Sequence, residues 1–164
     1  MLLAVSPPRS AAYDVLLLIH ILVGLGVIVI MISTYVAAMS LSSTHTGDVW
    51  PPQARRYFTP GPQIVGRSIY LLPVTGFAML GLSQGAFSTS TPFVVIGLVL
   101  WVVAAVVAEI CVFAPSARIA EVVRDETVVP TPGSWKRDVA LMRWSIDAVV
   151  LVVVIAAIVM LVQP

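Results

Sequence analysis

Charge is scarce in this chain. Asp, Glu, Lys and Arg make up 10% of its 164 residues, where a soluble domain carries about 25%. A net charge of +1, with no basic face beyond the loops, excludes an obvious nucleic-acid binder. Cysteine is nearly absent as well. Cys111 stands alone inside an apolar run, so there is no internal disulfide and no CxxC redox or zinc motif, and the residue reads as a small buried hydrophobe. A signal-peptide pattern is also lacking. Met1–Val5 is too short, Pro7 and Pro8 interrupt it, and Arg9 follows it rather than preceding it. The first long apolar stretch is therefore expected to stay in the mature protein. No nucleophile–base pair, phosphate loop or nicotinamide fingerprint is present.

What the chain has in excess is apolarity, with 59% hydrophobic residues and a mean hydropathy of +1.03. A soluble fold this small could not hide so much apolar surface in its own core. A lipid bilayer is the expected solvent and partner. The expected fold is a single all-α membrane domain over 1–164, a bundle of four transmembrane helices. A span takes roughly 20 mainly apolar residues, and the candidates run over about 13–41, 66–82, 93–113 and 139–162. The second is the weakest, being short and holding Arg67, Pro73 and Gly76. A β-barrel does not compete, because the runs are continuous and do not alternate.

Between the spans, Ser42–Val65 reads as a loop with a TPGP breaker at Thr59–Pro62, and Ser83–Pro92 as a short turn. Pro115 is expected to end or kink the third span. Beyond it, apolar and charged residues alternate at helical spacing over about 115–126, which predicts an amphipathic extension at the cytoplasmic interface. Thr127–Ser134 reads as a loop. Orientation follows from Lys and Arg near the span ends. Arg55, Arg56, Arg67, Arg118, Arg124, Lys136, Arg137 and Arg143 fall on one side and only Arg9 on the other. That split predicts both termini outside the cytoplasm.

Ionisable groups inside a bilayer each need an explanation, since one costs about 2.5–3.5 kcal/mol on insertion scales. Arg67 opens the second span. Glu109 lies about 24 Å into the third, at 1.5 Å per residue. Arg143 and Asp147 share a face of the fourth helix. These four are expected to converge near the cytoplasmic side, either as a structural ion-pair cluster, or as a relay or anion site suited to arginine's planar fork. Snorkelling of Arg67 and Arg143 is a third reading. His20 lies roughly 10 Å into the first helix. It reads as a structural histidine bonded across helices or as an axial haem ligand. By depth Met79 could complete a His–Met pair, though a lone Met is usually packing. His45, in the loop, cannot reach the same iron. Copper has no ligand cluster at suitable spacing.

The runs Leu16–Met31, Val74–Leu80, Phe113–Ala120 and Ile158–Pro164, with the TPGP at Thr59–Pro62, resemble a group of bacterial integral membrane proteins known as domain of unknown function 2269. That resemblance implies a four-helix, multi-pass protein of the bacterial inner membrane with no agreed activity. More distantly, His20 early in the first helix is similar to the histidine of CopD-like and HemJ-like membrane proteins, some of which bind haem; Ile19 stands where their Leu is usual. Three functions follow as expectations. The first is a noncatalytic accessory or scaffold subunit, working with other membrane subunits or as a homo-oligomer. The second is a haem-binding redox protein using His20. The third is a small proton, ion or solute carrier component using Arg67, Glu109, Arg143 and Asp147.

Overall fold

The computed structural model describes residues 10–59, 66–125, 129 and 133–162. Among these residues every extended element is helical and there is no sheet. The helices are α1 (Ala11–Ser42), α2 (Pro52–Tyr57), α3 (Leu71–Leu82), α4 (Pro92–Ala108), α5 (Ala114–Asp125) and α6 (Ser134–Val162). A 3-10 turn, Gly66–Tyr70, leads into α3, and a π-helical turn, Glu109–Phe113, joins α4 to α5. Among the described residues three continuous helices are long and apolar enough to cross a membrane: Ala11–Ser42, Pro92–Asp125 and Trp135–Val162.

Local chemistry accounts for the boundaries. Ser10 caps α1 by accepting the Tyr13 N–H at 3.2 Å, and Asp14 sits in the positive first turn. Pro92 opens α4 and Pro52 opens α2, where a missing N–H costs nothing. In the turn between α3 and α4, Gln84 and Gly85 take φ of 50° and 84°, and the Ser83 hydroxyl donates to the Leu80 carbonyl at 2.7 Å.

The structure departs from the sequence reading in three places. The expected second span, 66–82, is not one of the three long helices; its α-helical part is the 12 residues of α3. Pro73 explains the arrangement. It has no N–H for the Ile69 carbonyl one turn back, and the indole N–H of Trp101, from α4, donates to that carbonyl instead, at 3.0 Å. Pro115 neither ends nor breaks its helix. The chain widens just before it, with the Ala114 N–H bonded back to Glu109, and the wide turn accommodates the ring before α5 continues. Finally, the loop expected over 42–65 holds the short helix α2. Residues 60–62 of TPGP, and most of the loop expected over 127–134, lie outside the described residues.

α6 is the axis of the packing. It lies against α4, α1 and α5, while α3 packs mainly on α1. Close approach rests on small residues. Ala104 and Ala108 are buried, and a Cβ added at Gly97 would come within 2.7 Å of the Met160 Cε on α6. Most of the buried core gathers at the end that carries α2 and α5, with Leu41, Trp50, Phe58, Ile119, Trp135 and Val139 at its centre. There Trp50 and Trp135 stack edge to face, 5.5 Å between centroids. Val129 accepts from the Gly47 N–H at 3.0 Å and donates to the Asp48 carbonyl at 2.8 Å, tying the two connections together.

Candidate functional site

Arg67 and Glu109 meet. The guanidinium of Arg67, from the 3-10 turn, donates to Glu109 Oε1 at 2.6 Å, and the Tyr70 hydroxyl donates to Oε2 at 3.1 Å. Both carboxylate oxygens are thus engaged by one short segment. Tyr70 also stacks edge to face on Trp101, 6.3 Å away, so the π turn, the 3-10 turn and α4 form one joint. The pair is half-exposed.

Arg143 and Asp147 do not join it. The Arg143 guanidinium lies 5.9 Å from the centre of the Tyr35 ring on α1, and its Nε is buried without a hydrogen-bond partner among the described residues. Asp147 is exposed on the outside of α6. It lines a groove of about 350 Å³ between α1 and α6, beside Ile32, Tyr35 and Val150. The four ionisable groups therefore form one interhelical pair and two separate side chains.

His20 projects from α1 onto α3. Its Nδ1 lies 2.7 Å from the Thr75 hydroxyl. That hydroxyl has carbonyl acceptors at Leu71, 2.9 Å, and Leu72, 3.0 Å, in its own helix. With its hydrogen on one of them, the oxygen is free to accept from His20 in the tautomer that carries the proton on Nδ1. This tautomer leaves the unshared pair on Nε2. The ring is seated beside Gly76, whose missing Cβ would lie 3.6 Å from the imidazole Cε1. Met79 stands one turn further along α3, and the polar neighbour of His20 is Thr75. His45 is elsewhere: its backbone N–H caps onto Asp48 Oδ2 at 2.8 Å. Among the described residues no three His, Cys, Asp or Glu side chains gather as a metal site.

Two further contacts also escaped the sequence reading. Arg118 on α5 holds Asp138 on α6 through two parallel bonds, Nε to Oδ2 at 2.9 Å and a terminal NH₂ to Oδ1 at 2.7 Å. The Asp138 side chain is only 10% exposed, so this is a fork-to-fork pair with a largely desolvated acceptor. The Tyr57 hydroxyl of α2 meets the Thr34 hydroxyl of α1, which also donates to the Ile30 carbonyl at 2.8 Å. Burial raises the Tyr57 phenol above its ordinary pKa, and the Thr34 bond works against that rise. The only signals available in sequence were an arginine and an aspartate near the ends of two segments.

Comparison with protein-family models, curated proteins and solved structures finds no match to this chain.

Proposed function

We propose that the chain is a four-span protein of the bacterial inner membrane, with both termini outside, acting without catalysis as an accessory or scaffold subunit. The observation that carries this reading is where the polar groups of the helices are spent. Glu109 holds Arg67 and Tyr70, Trp101 holds Ile69, Asp138 holds Arg118, and Thr34 holds Tyr57. Each contact fixes one segment against another. A side chain so engaged sets helix order rather than supplying chemistry.

The second span fits this proposal despite its short α-helix. A 3-10 turn rises about 2.0 Å per residue and an α-helix about 1.5 Å, so 66–82 extends about 28 Å, close to a hydrocarbon core of about 30 Å. Orientation is supported by the cap. Arg55 and Arg56 on α2, Arg118 and Arg124 on α5, and Lys136 and Arg137 at the start of α6 belong to elements packed at one end, as basic residues facing the cytoplasm would. The resemblance to domain of unknown function 2269 belongs to the same proposal.

The test is accessibility in intact cells, after replacing Cys111 with Ser. A membrane-impermeant maleimide should label Ser88→Cys and spare Gly133→Cys until the membrane is opened; the reverse pattern removes the orientation. Mild crosslinking in native membranes should then capture other integral proteins at fixed stoichiometry. Capture of none removes the scaffold role.

His20 favours a second reading, a haem protein. A ligating histidine donates its other ring nitrogen to a fixed acceptor, and Thr75 gives His20 that arrangement with Nε2 unshared. Iron would take Nε2, and Thr75 would hold the ring. A Soret band lost in His20→Ala supports this reading. A colourless preparation from haem-supplemented cells eliminates it.

A further inference from the structure

Asp147 is an acidic side chain of a long apolar helix that the scaffold reading does not use. It lies near the middle of the Trp135–Val162 helix, on the outside of the bundle. Among the described residues no ion pair reaches it. Arg143, one turn earlier, is equally without a carboxylate; it rests on the Tyr35 ring with its Nε buried and unbonded. Among the described residues, an anion without a cationic partner and a cation without an anionic partner thus sit one turn apart on a face that is otherwise apolar.

We propose that this face closes on a second copy of the chain, α6 against α6, with Arg143 of each copy reaching the partner's Asp147. A two-fold interface brings residue i to residue j and j to i, so a surface with one charge of each sign complements itself. The inference rests on the proposal that these helices cross a membrane, because insertion then gives both copies the same direction and depth. The remaining offset is one turn, about 6 Å, which an arginine side chain spans. The apolar stripe supports the contact. Val150, Val154, Ala157 and Leu161 continue the four-and-three spacing that Arg143 and Asp147 begin; Val154, Ala157 and Leu161 are exposed, Leu161 at 82%. That is the spacing of a left-handed helix pair, in solution or in lipid. The groove beside Asp147, about 350 Å³, receives the partner's side chains as ridges enter grooves.

Other occupants satisfy less. A cationic lipid or amine would neutralise Asp147 and leave Arg143 without an anion. A bond within α6 would place arginine four residues before aspartate, the weaker order for such pairs, and the guanidinium lies on Tyr35 instead.

The experiment is an exchange of charges. Wild-type protein, purified in mild detergent and diluted into liposomes, should be a dimer by single-molecule photobleaching. Arg143→Asp gives a copy with two anions on the face and Asp147→Arg a copy with two cations, so each alone should be a monomer. Co-expressed with different tags, the two should pair with each other at least about tenfold more than either pairs with itself, a bias of about 1.4 kcal/mol. A bond within one helix, or a bound amine, predicts no such preference. Wild-type monomer at all dilutions, or charge variants that pair without selectivity, overturns the proposal. If either reversal fails to accumulate, Arg143→Gln and Asp147→Asn take its place: each should weaken the dimer at least about tenfold, and an undiminished dimer overturns the proposal. Alkaline extraction separates the two layers of the argument. A monomer that stays with the membrane refutes the pairing alone, whereas release of the chain refutes the membrane reading beneath it.

Discussion

The two ends of the bundle are built on different physics. At the end with α2 and α5, Trp50, Phe58, Ile119 and Trp135 are all less than 5% exposed. At the end with the turn between α3 and α4, α3 has no buried residue, and Val15, Leu18, Leu22 and Leu25 of α1 are each more than half exposed. Both ends are rich in apolar side chains, so composition does not separate them. The solvent does. Water drives side chains together, whereas lipid tails are as apolar as leucine and drive nothing. On the membrane reading, the capped end must bury its aromatics because water reaches it. The open end is left to van der Waals packing and a few interhelical bonds.

That contrast is open to direct attack. Trp50→Ala should have the largest effect, a loss of about 3–5 kcal/mol, as for other buried aromatics cut to alanine. Leu18→Ala at the open end should stay within about 0.5 kcal/mol. Reversible denaturant titration in detergent measures both, and equal losses would abolish the distinction. Asp138→Ala comes next, at about 1.5–3 kcal/mol, because it removes the acceptor of two charged hydrogen bonds. Arg118→Lys should recover only part of that, since an ammonium keeps the charge but not the fork. Trp101→Phe is smaller, about 1 kcal/mol. It keeps the ring and strips the Ile69 carbonyl of its donor, and Pro73→Ala in the same background should restore the missing N–H and reduce the loss.

This last pair shows how far the sequence can be read. A proline in the expected second span and a tryptophan deep in the expected third were both visible as anomalies. Neither explains itself alone, because the bond between them exists only once α4 lies beside the 3-10 turn. The three long helices were legible because an uninterrupted apolar run has few alternatives. The helix α2 was not: six residues opened by proline and carrying two arginines have no periodicity to detect, and α1, against which α2 packs, holds them in place. Likewise Pro115 reads as an end or a kink, and only the π turn before it shows that the helix does not end there. Depth along a helix axis brought Arg67 and Glu109 to a common level, since rise per residue is nearly constant. It could not separate Arg143 and Asp147 from them, because depth says nothing about which way a side chain faces around the bundle.

The smallest expected effect of removing a hydrogen bond falls at the open end and tests its character most closely. His20 and Thr75 share one hydrogen bond between α1 and α3, and such bonds within a bilayer average about 0.6 kcal/mol in double-mutant cycles. His20→Ala and Thr75→Ala should therefore each cost little, and together scarcely more than either alone. A coupling well above about 2 kcal/mol would exceed what one such bond supplies and would mean that the ring supports more than Thr75. A coupling near zero would mean that the bond contributes nothing, leaving α3 held on α1 by packing beside Gly76. Thr75→Val sharpens the result, because it preserves shape while removing the acceptor that fixes the tautomer. If stability is unchanged but a haem band weakens, the threonine's role is to orient the imidazole, and the bond belongs to ligand binding rather than to the fold.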